Sequence, residues 1–387
     1  MPLLGLLRIV NIGTFPGQAG NPVGYTATPV VAPAAFSSVN GQTWPGAFSS
    51  LTAWPGGTGA QTISGGTHAT SGAGTSGNPW VFAFRDFDAL AAGTVLSLSN
   101  AIFVGCRFQS NSVNNQNISV TGSNVSLIYC SIVPRVTLWS SPPNGTWPSA
   151  GAGLGLIPSS VAYTDTGNYC VPASDGYQYG LKLDAISGPF NADHCDIWGF
   201  GNAVTFLATS FQVNITNNWI HDGANCNTVP PGGSTNYHTD GPGYLNGGTP
   251  PQNILIQGNT IASIGNTNGI AFQAAISEYN NIRVLGNYMS GFNDLADICH
   301  LVVGSTNIIV TDNVFGTDLP WVSQPVYSDP TTLFTRAVNP TNLWRRNKLN
   351  IRSGTTPNAG SNPSWNSSQN GFFLFPNSTL SATDYAG

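Results

Sequence analysis

An asparagine returns at one fixed place in a short apolar motif, and this recurrence restricts what the chain can fold into more than any other feature. It stands at Asn218, Asn259, Asn287 and Asn313. Each is preceded by apolar residues five and three positions earlier and followed by another two positions later. These are Val213, Ile215 and Ile220 around the first; Ile254, Ile256 and Ile261 around the second; Ile282, Val284 and Met289 around the third; Ile308, Val310 and Phe315 around the fourth. Cys106, Cys130 and Cys195 hold the same place in three earlier segments, and Asn347 in a late, looser one. Along the whole column the spacings are 24, 65, 23, 41, 28, 26 and 34 residues. A base period in the mid-twenties, lengthened by insertions, accounts for all of them.

Such a period holds three short strands and their bends, and is shorter than the about 30 residues that a strand–helix–strand unit needs. Apolar residues at every second position mark strands with one buried face. Stacked coils put each column above itself, so identical asparagines can hydrogen-bond up the stack as a ladder. A second column supports a further strand per coil. Gly180 to Leu183, Ala203 to Phe206, Gly241 to Tyr244 and Gly269 to Phe272 each open on a small residue and end on a large apolar one. The next coil, Asp294 to Val303, aligns in two registers and leaves open whether Cys299 or His300 points inward.

The expected fold is therefore all-β, a right-handed parallel β-helix with an extended N-terminal arm and a C-terminal cap. Residues 1–80 show no repeat and read as the arm and first cap, since an open stack must cover its end strands. Residues 81–350 read as the β-helix, with loop insertions near 134–179 and 223–237, and 351–387 as a cap or docking tail.

Composition narrows the function. Charged residues are 7% of the chain, against about 25% in ordinary domains. With eleven Lys plus Arg, a net charge of −5 and one local cluster at Arg345, Arg346 and Lys348, the basic stripe of a nucleic-acid binder is missing. No apolar run is long enough to span a membrane. The apolar start, Met1 to Val10, has no basic leading region and is interrupted by Arg8, so it does not read as a signal peptide. The six Cys include no C-x-x-C pair, which speaks against zinc or a redox motif. Buried free thiols are the preferred reading.

The run His194 to Gly199, then Asn217 to Asp222, His238 to Gly241 and Asn253 to Ile261 resembles the pectate-lyase-like, right-handed parallel β-helix superfamily over about residues 95 to 350. That superfamily includes polysaccharide lyases and hydrolases as well as bacteriophage tailspikes and minor tail proteins, so the resemblance implies a fold rather than one activity.

The densest polar constellation comprises His194, Asp196, His221, Asp222, His238 and Asp240, with Asp193 beside it; these six are the candidate catalytic residues. His194 and Asp196 flank an anchor position and His221 and Asp222 follow the next, so one rung of stacking would put the pairs about 5 to 10 Å apart. Such groups suit glycoside hydrolysis by paired acids, a base for β-elimination, or an Asp set for Ca²⁺. No other cofactor is expected. Polar residues at bends also cap turns and bond the backbone. Departures from the family matter here: no Lys or Arg base stands in an evident motif, and the paired-Asp and Gly-His-Gly motifs of polygalacturonase-like hydrolases are absent. Trp198, Trp219, Tyr237, Tyr244 and Tyr288 are candidate glycan-stacking rings, or else shield loops and make subunit contacts.

Two functions follow. One is a phage virion surface protein, of minor tail or decoration type, whose β-helix is a rigid stalk that touches host-surface glycan. Its terminal segments would dock other virion proteins, and the resemblance implies a homo-oligomer such as a trimer. The other is a polysaccharide lyase or glycoside hydrolase, virion-borne or secreted, acting in a groove beside Asp196, His221, Asp222 and Asp240.

Overall fold

The computed structural model describes residues 38–39, 42–43, 51–57, 61–89, 93–110, 116–134, 179–198, 200–207, 209–221, 240–244, 248–273, 275–298, 302, 304–316, 324–326, 340–345, 347–351 and 372–376. These residues form strands and turns without a helix, and nearly all the strand pairing is parallel. The architecture is all-β and consistent with a parallel β-helix solenoid.

Each rung begins with a strand of a nine-stranded parallel sheet. In chain order these first strands are Trp80–Ala83, Ser99–Val104, Ser123–Ile128, Phe190–Asp193, Val213–Thr216, Ile254–Gln257, Asn280–Leu285, Thr306–Thr311 and Leu343–Arg345, and they number the rungs 1 to 9. A tight bend leads to the second strand, such as Ser131–Pro134, Asp196–Trp198 or Trp219–His221. The third follows, such as Tyr179–Leu183, Asn202–Phe206 or Asp240–Tyr244. In rungs 6 and 7 the second and third are continuous, as Thr260–Phe272 and Tyr288–Ile298, which joins both files into one 18-stranded sheet.

The buried ladder stands at the first bend. Asn218 donates its amide to Asn259 (2.9 Å), Asn259 to Asn287 (2.9 Å), Asn287 to Asn313 (3.0 Å) and Asn313 to Asn347 (2.9 Å). Each amide also reaches a first-strand carbonyl of the preceding rung, such as Ile215 from Asn259 and Ile256 from Asn287. Cys106, Cys130 and Cys195 extend the file below. Their free, buried thiols donate to the equivalent carbonyls of Phe82, Phe103 and Leu127. Burial, with the neighbouring Cys106 and Cys195 thiols, pushes the Cys130 thiol well up. Cys170, Cys226 and Cys299 lie outside the described residues.

Period-2 alternation places Val125 and Leu127, Val213 and Ile215, and Ile254 and Ile256 in one continuous core. Phe82 stacks on Phe103 and Phe87 on Phe108, both at 4.6 Å. The small residues opening the third strands form a register column through Gly180, Ala203, Gly241 and Gly269, set by the pairings Tyr179↔Asn202 and Asn202↔Asp240. A Cβ on Gly241 would lie 1.9 Å from the Gly269 carbonyl oxygen, which is why nothing larger fits there. The ambiguous coil after Asp294 takes the register Phe272↔Ile298, so Ile298 is the large apolar end residue.

Parallel pairing begins before residue 80, since Thr52–Ala53 and Gln61–Ile63 pair onto rung 1. At the far end Phe372–Pro376 pairs in parallel with Asn347–Ile351. The first strand of rung 1 is closed differently: Ser71 bridges Val81 in antiparallel fashion. The connections 111–115, 135–178, 222–239 and 317–323 each join a second strand to a third, whereas 327–342 joins a third strand to the next first strand.

Candidate functional site

The bend before each ladder position needs a residue with φ near +60°. That column runs through Phe84, Gly105, Tyr129, His194, Asn217, Gly258, Gly286 and Asp312. Gly, Asn and Asp adopt this backbone readily, whereas bulky residues there are outliers. Tyr129 and His194, in rungs 3 and 4, are two of the outliers, and their rings stack at 4.8 Å.

Asp193, just before His194, collects three side-chain bonds. His194 Nδ1 lies 2.8 Å from one carboxylate oxygen; Thr216 Oγ1 (2.7 Å) and Asn217 Nδ2 (2.9 Å) donate to the other. Burial alone would raise this carboxyl's pKa. The His194 bond and charge, with the Thr216 and Asn217 bonds, outweigh it and hold Asp193 below the usual carboxylate range. Because an ionised Asp193 accepts, Nδ1 carries the proton and Nε2 is the basic nitrogen of the pair. Burial and then the Asp193 charge push the Tyr129 hydroxyl up to about 12. This group fixes the orientation of the imidazole, and through Thr216 and Asn217 it clamps rung 4 to rung 5.

Of the other candidate catalytic residues, Asp196, His221 and Asp240 fall within the described residues. Asp196 is in register with Ser131 and Trp219, and Trp198 with His221, so Asp196 and His221 stand two positions apart along the second strands. Asp196 is 1% exposed. Asp240 opens a third strand beside Asn202 and is buried; its carboxylate accepts from the Asn268 backbone N–H (2.9 Å) and side-chain amide (3.3 Å). His194 is thus at the first bend and Asp240 at the opposite end of the second-to-third connection. Asp222 and His238 lie outside the described residues, as does Tyr237. Among the described residues, no group of three or more His, Cys, Asp or Glu is placed to hold a metal ion.

Of the candidate sugar-stacking rings, Trp219, Tyr244 and Tyr288 are buried, the last two at 2% and 1% exposure. Tyr244 belongs to the core and packs edge-on against Tyr279 (6.1 Å). Burial raises its hydroxyl pKa, partly offset by a bond with the Gly248 backbone. A covered ring has no face left for a sugar. Among the described residues, the exposed phenyl ring that motif reading missed is Phe211, in the turn entering rung 5. No protein-family model, curated protein or solved structure matches the chain.

Proposed function

We propose that the chain is a virion surface protein of phage tail type, a right-handed parallel β-helix of the pectate-lyase-like kind that serves as a rigid stalk and binds host-surface glycan. The observation that carries this reading is the unbroken ladder from Cys106 to Asn347, which ties eight rungs through buried side chains. Such a stack resists local opening and suits a load-bearing, protease-resistant element. The terminal segments, 1–80 and 351–387, are the docking parts for neighbouring virion proteins, and the working unit is a symmetric oligomer such as a trimer.

A second reading, cleavage of the bound glycan, is favoured by one observation: the imidazole of His194 is oriented by a carboxylate held ionised. Mixing the protein with host-envelope polysaccharide separates the two. Retention of polymer without new reducing ends or unsaturated sugars supports the binding protein. Release of such ends, abolished in a His194→Ala variant that remains folded, replaces it with an enzyme.

A further inference from the structure

Between Lys182 and Arg283 the chain contains no Lys or Arg, although it builds rungs 4, 5 and 6 in full. The same stretch carries Asp184, Asp193, Asp196, Asp222, Asp240 and Glu278. Lys182 pairs with Asp184 (3.0 Å), while Arg283, in rung 7, keeps its charge and donates Nε to the neutral amide of Asn281 (3.1 Å). Apart from histidine, these rungs hold no basic side chain that can neutralise a ligand carboxylate or phosphate.

The outward column of the first strands changes character here. In rungs 1 to 3 it is Val81, Ile102 and Ser126, all buried; in rungs 4 and 5 it becomes Asn191 and Asn214, which are partly exposed. The amides are ordered along the stack. Asn191 donates to Ser126 (3.1 Å), Asn214 to Asn191 (2.6 Å) and Gln212 to Asn214 (2.8 Å). Alongside, Asn253 donates to the Ser210 carbonyl (2.6 Å). Phe211, 40% exposed, stands in the chain between Ser210 and Gln212.

Asn191 and Asn214 each spend one N–H on a neighbour and retain a second, whereas Gln212 donates to both Val213 and Asn214 and offers its carbonyl oxygen. A sugar ring presents an apolar C–H face and a rim of hydroxyls that both donate and accept. A partly exposed aromatic ring next to an uncharged amide in the chain offers those two features, while partly exposed Asp193, two residues beyond Asn191, repels anions. We propose that the outer face of the first strands in rungs 4 to 6, centred on Phe211, Asn191, Gln212, Asn214 and Asn253, binds an uncharged glycan. This proposal rests on the glycan-binding reading above and names its surface and ligand class.

Affinity electrophoresis of the full chain tests it, in gels containing neutral polymers (dextran, mannan, galactan, soluble chitin oligomers) or acidic ones (polygalacturonate, alginate, polysialic acid). The expected result is retardation by a neutral polymer, independent of salt, and weakened by about tenfold or more in Phe211→Ala and Gln212→Ala, both at exposed positions, with unchanged melting temperature. Retardation by an acidic polymer that fades with salt overturns the ligand class and leaves the glycan reading standing. Binding undiminished in both folded variants overturns the surface. No retardation in any gel overturns the glycan reading on which both depend.

Discussion

Asn259 donates to Ile215 and Asn287 and accepts from both the backbone and the side chain of Asn218, so its amide is saturated in a dry environment. Asn259→Ala strands buried groups on two neighbouring rungs and is expected to destabilise the chain by about 3 kcal/mol, read from urea unfolding. A loss below about 1 kcal/mol would show that the ladder decorates the stack rather than holding it. Asp193 gives a pH signature. Its folded pKa is depressed, so its stabilising contribution is present above the unfolded value of about 4 and is lost as pH falls through the lower folded value. The melting temperature of wild type should therefore drop more steeply than that of Asp193→Asn as pH falls below about 4, the two curves converging in acid. Parallel curves would remove the carboxylate clamp. The asparagine file is legible in sequence because each inward amide shares a bond with its copy one rung away, so the residue recurs with the period. Trp219 and Tyr288 mislead because their positions alternate with core-facing Ile220 and Met289 and so read as outward; what covers an outward column is not written in its period.

At the scale of elements, the anchor spacings mark where the chain departs from a regular coil, and Ser131–Pro134 and Tyr179–Leu183, on either side of the longest departure, both keep their register with the neighbouring rungs. That register is set by neighbours, not by the connection between them. Replacing 135–178 with a short Gly/Ser linker should preserve the β-type circular dichroism and change stability by only about 1 kcal/mol, because loop closure depends weakly on length. Loss of cooperative unfolding would instead make the insertion part of the core. Phe211 escaped notice for the complementary reason. It lies in a third-to-first turn, where the chain has no repeat to align, and its exposure depends on how that turn is folded.

For the whole molecule, each rung touches only its neighbours, so stability is a sum of rung and interface contributions. Amide exchange should be slowest in rungs 3 to 6 and quicken toward Leu343–Arg345, measured by hydrogen exchange with mass spectrometry. Uniform protection from end to end would mean that the stack opens as one unit.

The antiparallel bridge between Ser71 and Val81 turns the chain back over the lower margin of the nine-stranded sheet. Head-to-tail polymerisation requires both margins of that sheet to be free, since each copy must offer its top to the bottom of the next. With the bottom stoppered, edge pairing of this sheet is confined to top against top, a two-fold contact that is complete at two copies and cannot propagate into a fibre.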